Sequence, residues 1–420
     1  MIEHAPASAA GHLPRRLEGS DAMISSLDPP PTGDLNSLKQ RNRSAIIDTL
    51  RRSPGLTRTC IARRTGLTKV TVGSAVTALL EEGWLEEGAL LHKGGGRPGR
   101  ALYPDSRHHL LLGAEVGVNE LRVVGCTLAG ALVAHRCLPL SGATPEAAAK
   151  ALAREIEVLL NSCGADRRIQ GLGVALPGPV MPGQALLGLA PNLGWHRVRF
   201  LDLLSDCLSR PLGHCLMDNE ASLSAFGEVY FARSPAPPSL LYVSADTGIG
   251  SGLVVGEAPP RILRGVHGLA GEIGHTLLDP DGAPCHCGNR GCAETLVSGW
   301  RIRHQLGIDP GTPLTEAVAA LPAARTAPVL ERAGRALGML LYNLHHTLNP
   351  AEIVIGGALT KLGPAFLNPA LSYYAQSQRR LLPAAELITP RVMSGDRLAA
   401  ARGGAALVMA ATLMAPRETP

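Results

Sequence analysis

No stretch of this 420-residue chain approaches the roughly 20 consecutive apolar residues that a membrane-spanning helix requires. Its first segment, Met1 to Asn36, also lacks the basic start and apolar stretch of a secretory signal; Pro, Ser, Ala and His are scattered through it instead. These absences predict a cytoplasmic protein with no membrane contact and a disordered segment at residues 1–36. A disulfide framework is missing too. Nine cysteines are an odd number, the chain is large, and three of them crowd between Cys285 and Cys292, which suits reduced thiols with one metal site. What is present is 45% hydrophobic residues, enough over this length to bury one small domain and one large one, or three modest lobes.

The net charge of +5 is unevenly placed. From Ser37 to Arg107, thirteen Lys or Arg stand against six Asp or Glu, a net +7 that leaves −2 for the remainder. A phosphate backbone is the natural partner for so local an excess. Ile46, Ile47 and Leu50 recur at helical spacing until Pro54-Gly55 stops them. Thr57 then offers an N-cap for a short helix that Gly66 breaks, and Thr68 offers the N-cap of the next. Two helices around a Gly-containing turn make a helix-turn-helix pattern. In the second, Val72, Val76 and Leu79 should face inward, leaving Lys69, Thr71, Gly73 and Ser74 outward near the N-terminus as candidates for DNA contacts. Trp84 to Leu91 reads as a strand, the glycines at 94 to 96 as a turn, and Arg97-Pro98-Gly99-Arg100 as the entry to a second strand. This is a wing, from which Arg97 could reach phosphate or the minor groove. A small helical domain used for protein contacts is the plainer alternative.

From His108 onward, Gly-punctuated β-branched stretches alternate with Ala- and Leu-rich ones, the texture of an α/β domain. Leu110 to Val116, Glu120 to Cys126 and Ala131 to Pro139 predict a three-strand meander. A helix over Pro145 to Leu160 and a buried strand over Gly171 to Leu176 follow. This β-β-β-α-β order is the unit of actin-like, ribonuclease H-like kinases. His275, Cys285, Cys287 and Cys292 supply one imidazole and three thiolates, the donor set of a closed tetrahedral site for one structural zinc per chain. The alternative is four unrelated residues, the cysteines acting as small hydrophobes. His286, between two ligands, is expected to be an exposed bystander. The apolar stretch Ala327 to Leu348 serves either as an intersubunit packing element or as core.

Six stretches occur in order: Gly173-Val-Ala-Leu-Pro-Gly-Pro-Val180, Ala190-Pro-Asn-Leu-Gly-Trp195, Asp246-Thr-Gly-Ile-Gly-Ser-Gly252, Gly271-Glu-Ile-Gly-His275, Cys285-His-Cys-Gly-Asn-Arg-Gly-Cys-Ala-Glu294 and Asn349-Pro-Ala-Glu-Ile-Val-Ile-Gly-Gly357. Together they resemble the successive signatures of the ROK family of repressors, open reading frames and kinases. The winged helix with its Gly-Arg-Pro wing resembles the family's repressor branch. The resemblance implies a winged helix-turn-helix over 37–107 and a two-lobed, sugar-binding actin-like domain over 108–420. It also implies sugar contacts at Asn192, Asn219, Glu220, Glu272, His275 and Glu294, and a homodimer or homotetramer.

The chain departs from the family's kinases where phosphate is handled. Their first turn reads Asp, any residue, Gly, Gly or any, Thr, against Glu115-Val-Gly-Val-Asn119 here. Asp246 stands where they usually place Gly, and a carboxylate there repels a triphosphate. Their Asn-Asp-Ala-Asn becomes Asn219-Glu-Ala-Ser222, which moves the general-base position to the longer Glu220, a change that resembles xylose-type repressors. The expectation is a DNA-binding, sugar-responsive repressor of carbohydrate genes without catalysis. Its rivals are a hexose kinase that retains a DNA-binding domain and a scaffold whose receptor domain binds a protein and no sugar.

Overall fold

The computed structural model describes residues 35–414 except 92–97, 165, 233–235, 257–259, 310, 381 and 384–385. Three helices come first: α1 (Leu35–Arg52), α2 (Arg58–Thr65) and α3 (Lys69–Glu81). The Thr57 hydroxyl accepts the Cys60 N–H and the Thr68 hydroxyl accepts the Thr71 N–H, so both expected N-caps form. Gly66, at φ 71°, closes α2 in the left-handed conformation. Val72, Val76 and Leu79 pack inward with Ile46, Ile47, Leu50 and Ile61. An antiparallel hairpin of β1 (Leu85–Leu91) and β2 (Gly99–Pro104) follows. The tip of the expected wing, with Arg97, lies outside the described residues, and α1 takes in Leu35 and Asn36, ahead of the boundary expected at 37.

The link to the rest of the chain is four residues long and pinned. Asp105, 1% exposed, accepts the N–H groups of Arg107 at 3.0 Å and His108 at 2.6 Å, and the rings of Trp84 and His109 lie 4.4 Å apart.

Two lobes follow. The first has β3 (His109–Val116), β4 (Glu120–Cys126), β5 (Leu132–Pro139), α4 (Pro145–Cys163) and β6 (Arg168–Leu176), as the meander predicts. A small sheet of β7 (Val180–Met181), β8 (Leu186–Ala190) and β9 (Trp195–Val198) comes next, then α5 (Phe200–Cys207) and β10 (His214–Asn219). Helix α6 (Glu220–Tyr230) leads to the second lobe: β11 (Ser239–Ala245), β12 (Ile249–Val255), β13 (Arg261–Ile262), α7 (Glu294–Val297), α8 (Gly299–Leu306), α9 (Leu314–Ala320), α10 (Ala323–Leu348), β14 (Glu352–Gly356), α11 (Pro364–Gln378) and β15 (Arg391–Val392). The main sheets run β5-β4-β3-β6-β10 and β13-β12-β11-β14-β15. In each, the first strand is central, antiparallel to the second and parallel to the fourth, so one topology occurs twice. Leu330, Ala333, Leu337, Leu340 and Leu341 of α10 pack into the second lobe's core, so one face of that apolar stretch is core within the chain. No described helix is long and apolar enough to cross a membrane.

The last helix, α12 (Ala399–Met414), returns to the first lobe between the β3–β6 face and α6. Its approach is possible only without side chains. A Cβ on Gly404 would overlap the Gly173 carbonyl, and one on Gly403 the Leu223 carbonyl of α6. At its C-terminal end, Leu413 O accepts hydrogen bonds from the Gln40 amide and the Ser44 hydroxyl of α1. Beside it, the guanidinium of Arg51 lies 3.9 Å from the centre of the Tyr230 ring at the end of α6. The apolar core therefore runs unbroken from α1 into the first lobe.

Glycine in a helix costs about 0.5–1 kcal/mol relative to alanine, so Gly→Ala should stabilise wherever the methyl has room. At Gly73 of α3 an added Cβ meets no atom within 4 Å. We expect Gly73→Ala to raise stability by about that amount and Gly403→Ala to lower it by about 1–3 kcal/mol through overpacking, both read from urea unfolding curves. A stabilising Gly403→Ala would refute the tight packing of α12.

Candidate functional site

The two lobes meet at polar groups from four loops. Glu294, at the start of α7 and 4% exposed, receives Ile249 N–H on Oε2 at 3.1 Å and the Trp300 indole N–H on Oε1 at 3.0 Å. Gly248 separates this carboxylate from Asn192 of the first lobe. A methyl on Gly248 would lie 2.8 Å from Glu294 Oε2 and 2.9 Å from Asn192 Nδ2, so the two groups face one another across a glycine. Beside Asn192 a cavity opens, lined by Gly117, Val118, Asn119, Ser141 and Trp195.

Two further carboxyls follow in series, Glu272 in the field of Glu294 and Glu220 in that of Glu272. Burial, with the Glu294 charge adding to it, pushes the Glu272 carboxyl up to about 7. Burial and then the Glu272 charge hold Glu220, the first residue of α6, well above the usual carboxylate range. Asn219 sets that position. Its Oδ1 caps α6 by accepting the N–H groups of Ala221 and Ser222, while its Nδ2 donates to Gly178 O at 3.2 Å and to Glu220 Oε2 at 2.7 Å. All four hydrogen-bonding positions of the amide are filled, so Asn219 acts on this site by holding Glu220.

The phosphate-related positions are engaged with the chain itself. Asp246 Oδ1 accepts the Thr247 N–H at 2.7 Å and Oδ2 accepts the Ala358 N–H at 3.0 Å. Glu115 pairs at 2.7 Å with Arg122, which also bonds Glu120. Asn119 reaches across to the Thr247 hydroxyl at 3.5 Å.

The metal-donor residues come together as expected. One donor atom from each of His275, Cys285, Cys287 and Cys292 lies within 4.8 Å of all the others. A tetrahedral ion with metal–sulfur bonds of about 2.3 Å has sulfur–sulfur edges of about 3.8 Å. Cys287 Sγ and Cys292 Sγ are 3.7 Å apart, and Cys285 Sγ is 3.7 Å from His275 Nδ1. Gly288 and Gly291, at φ 95° and 68°, turn the chain around this centre. The residues fit a metal ion. His275 turns its other nitrogen, Nε2, toward Glu272 Oε2 at 4.0 Å, so one ring can serve the metal and the cleft.

The sequence reading missed several residues. His286 is exposed, as expected, but it is no bystander: its ring stacks at 4.3 Å on Trp300, joining the thiolate loop to the residue that orients Glu294. Only a neighbour-to-neighbour ring distance reveals that link. Arg264 bonds Asp218 Oδ2 at 2.7 Å through Nε, which ties the loop leading to Glu272 to the strand that ends at Asn219. On α3, Lys69 and Ser74 are exposed and Thr71 is half-buried, the three sharing the helix's N-terminal half.

Two lobes of one repeated topology around a polar cleft define a kinase-type α/β fold. The chain belongs to the ROK family, whose model matches residues 111–411. The xylose repressor of Bacillus subtilis is 27% identical over 339 residues, covering 80% of this chain and 86% of that protein. A glucokinase of Halalkalibacterium halodurans is 32% identical over 223 residues, covering 49% of this chain and 66% of that protein. Among solved structures, a ROK family transcriptional regulator, a homologue of the Escherichia coli MLC protein, matches with a TM-score of 0.71 at 22% identity, covering 90% of this chain and 98% of the other.

The thiolate centre predicts about one divalent ion per chain in purified protein. Cys287→Ser should release it and lower the melting temperature, because ion binding and folding of this loop are linked. Metal-free protein that melts like the metal-loaded form would rule out the site.

Proposed function

We propose that this chain is a sugar-responsive transcriptional repressor of carbohydrate genes. In this reading the module expected over 37–107, whose first helix begins at Leu35, is a winged helix-turn-helix that binds double-stranded operator DNA. Residues 108–420 form a two-lobed receptor of a cytoplasmic homodimer or homotetramer. The observation that carries the reading is the carboxylate of Asp246, which occupies the Thr247 N–H of its own glycine-rich turn, the turn a kinase would present to phosphate, and the Ala358 N–H of the loop after β14. A triphosphate brought there would meet negative charge and amides already satisfied.

The sugar site is assigned to Asn192, Glu220, Glu272, His275 and Glu294, with Asn219 holding Glu220 in place. Vicinal hydroxyls need paired acceptors and donors, since a polar group buried without a partner costs about 1–3 kcal/mol. The carboxylates of Glu272 and Glu294 and the amide of Asn192 offer such pairs from both lobes. Zinc is the metal that suits three thiolates and one imidazole. With four protein ligands it supplies a cross-link and no activated water, which fixes His275 and, through His286 and Trp300, Glu294.

Sugar shifts such a receptor only by binding one arrangement of the lobes better than the other. Helix α6 starts at Glu220 in the cleft and ends at Tyr230 against Arg51 of α1, so rotation of the lobes is delivered to the DNA-binding helices. In a dimer that rotation alters the spacing of the two recognition helices relative to the operator half-sites.

The second reading, a hexose kinase that kept a DNA-binding domain, draws on Glu220. Its raised pKa suits a general base. Turnover decides between the two. The protein should bind its sugar without ATP and phosphorylate none, and Glu272→Ala should leave operator binding intact while abolishing the response to sugar. Sugar-dependent ATP consumption at about 1 per second or faster would overturn the repressor-only reading. Operator affinity should fall steeply with added salt, and Lys69→Ala should weaken it while leaving sugar binding unchanged.

A further inference from the structure

The outward stripe of α3 is Val70, Gly73, Ser74 and Thr77, opposite the buried Val72, Val76 and Leu79. Two of its residues have no explanation within the chain. Val70 is 82% exposed, a branched aliphatic side chain left in water on the most forward turn of the helix. Gly73, one turn on, weakens the helix with no compensating need: its φ is not in the left-handed region, and an added Cβ would meet nothing within 4 Å.

The polar neighbours are already engaged. The Thr68 and Thr71 hydroxyls bond one another at 2.9 Å, Ser74 Oγ donates to Thr71 O at 3.1 Å, and Thr77 Oγ1 donates to Gly73 O at 3.0 Å. A base acceptor would have to displace the bonds of Ser74 and Thr77. The surface that this stripe offers is therefore an apolar knob beside a shallow gap, flanked by Lys69 and set in a segment of net charge +7. A partner that satisfies both features presents an apolar group to Val70 and a wall close to the helix backbone at Gly73, and it carries negative charge around them. On the base edges of a DNA major groove, the one apolar group is the 5-methyl of thymine.

We infer that Val70 and Gly73 form a thymine-reading step. Val70 packs on the 5-methyl of one thymine in each operator half-site, and Gly73 lets the helix backbone lie against the groove beside it. This rests on the repressor reading above and adds a base identity to it.

The test begins with full-length protein and selection from a random duplex library, which yields the preferred half-site. Each thymine of the selected duplex is then replaced in turn by deoxyuracil, which removes the methyl and keeps every hydrogen-bonding group. At one position per half-site the wild type should lose about fourfold in affinity, the worth of one buried methyl. Val70→Ala should bind the thymine and deoxyuracil duplexes alike and accept other bases at that position. Gly73→Ala, although more stable, should bind the selected duplex about tenfold or more weakly with its salt dependence unchanged. Lys69→Ala should weaken both duplexes equally. Indifference of the wild type to deoxyuracil at every position, or a full methyl effect retained by Val70→Ala, would overturn the thymine step while leaving DNA binding intact. Operator binding by Gly73→Ala as tight as wild type would overturn the close approach. Failure of the wild type to select any duplex would bring down the DNA-binding reading itself.

Discussion

Helix α12 is the constraint on which the rest of the molecule depends. It lies in a slot walled by β3 and β6 on one side and α6 on the other, closer than any side chain permits. Backbone-to-backbone contact of this kind leaves no compliant layer of side chains to absorb displacement. Because α12 also ends against α1, through Leu413 O, the first lobe and the DNA-binding helices share one rigid body at this seam. The four-residue connection pinned by Asp105 adds a second attachment at the other end of the same module.

That rigidity makes α6 informative. It is an 11-residue helix, about 16 Å long, with Glu220 at one end and Tyr230 at the other. Arg51 covers the Tyr230 ring and is itself 4% exposed, held at the far side by Asp48 at 2.5 Å. A buried cation on an aromatic face has few alternative positions, so a change in the tilt of α6 is passed on instead of being taken up by side-chain rotation. The same helix thus begins at the carboxyl cluster and ends against α1. Coupling between the two sites then needs only two arrangements of the lobes with different affinities for sugar.

Much of this was legible in the sequence because it rests on short-range chemistry. The caps at Thr57 and Thr68, the inward face of α3, the strand order of the first lobe and the thiolate cluster all follow from residues close in sequence whose local preferences agree with the fold. What escaped was set by long-range neighbours. His286 stacks on Trp300, Arg264 reaches Asp218, and the Asn219 amide reaches Gly178 O. None has a spacing signature. Val70 stands apart: helical spacing already sets it opposite Val72, Val76 and Leu79, and only its exposure marks it as an apolar residue left in water.

The altered phosphate positions acquire a physical sense once the cleft is seen as a whole. Glu115, Glu220, Asp246, Glu272 and Glu294 form a chain of neighbouring charges, Glu220 feeling Glu272, Glu115 and Asp246 and Glu272 feeling Glu294, and burial raises Glu115, Glu220 and Glu272. An active phosphoryl-transfer site offsets such charge with metal ions and cationic side chains around the nucleotide. Here Arg122 is committed to Glu115 and Glu120, and the amides near Asp246 are committed to its own carboxylate. A neutral polyol suffers none of the repulsion that a polyanion meets and gains from every acceptor. In the proposed receptor, the charge that disfavours a nucleotide leaves the cleft suited to an uncharged sugar, so one electrostatic cause serves both halves of that reading.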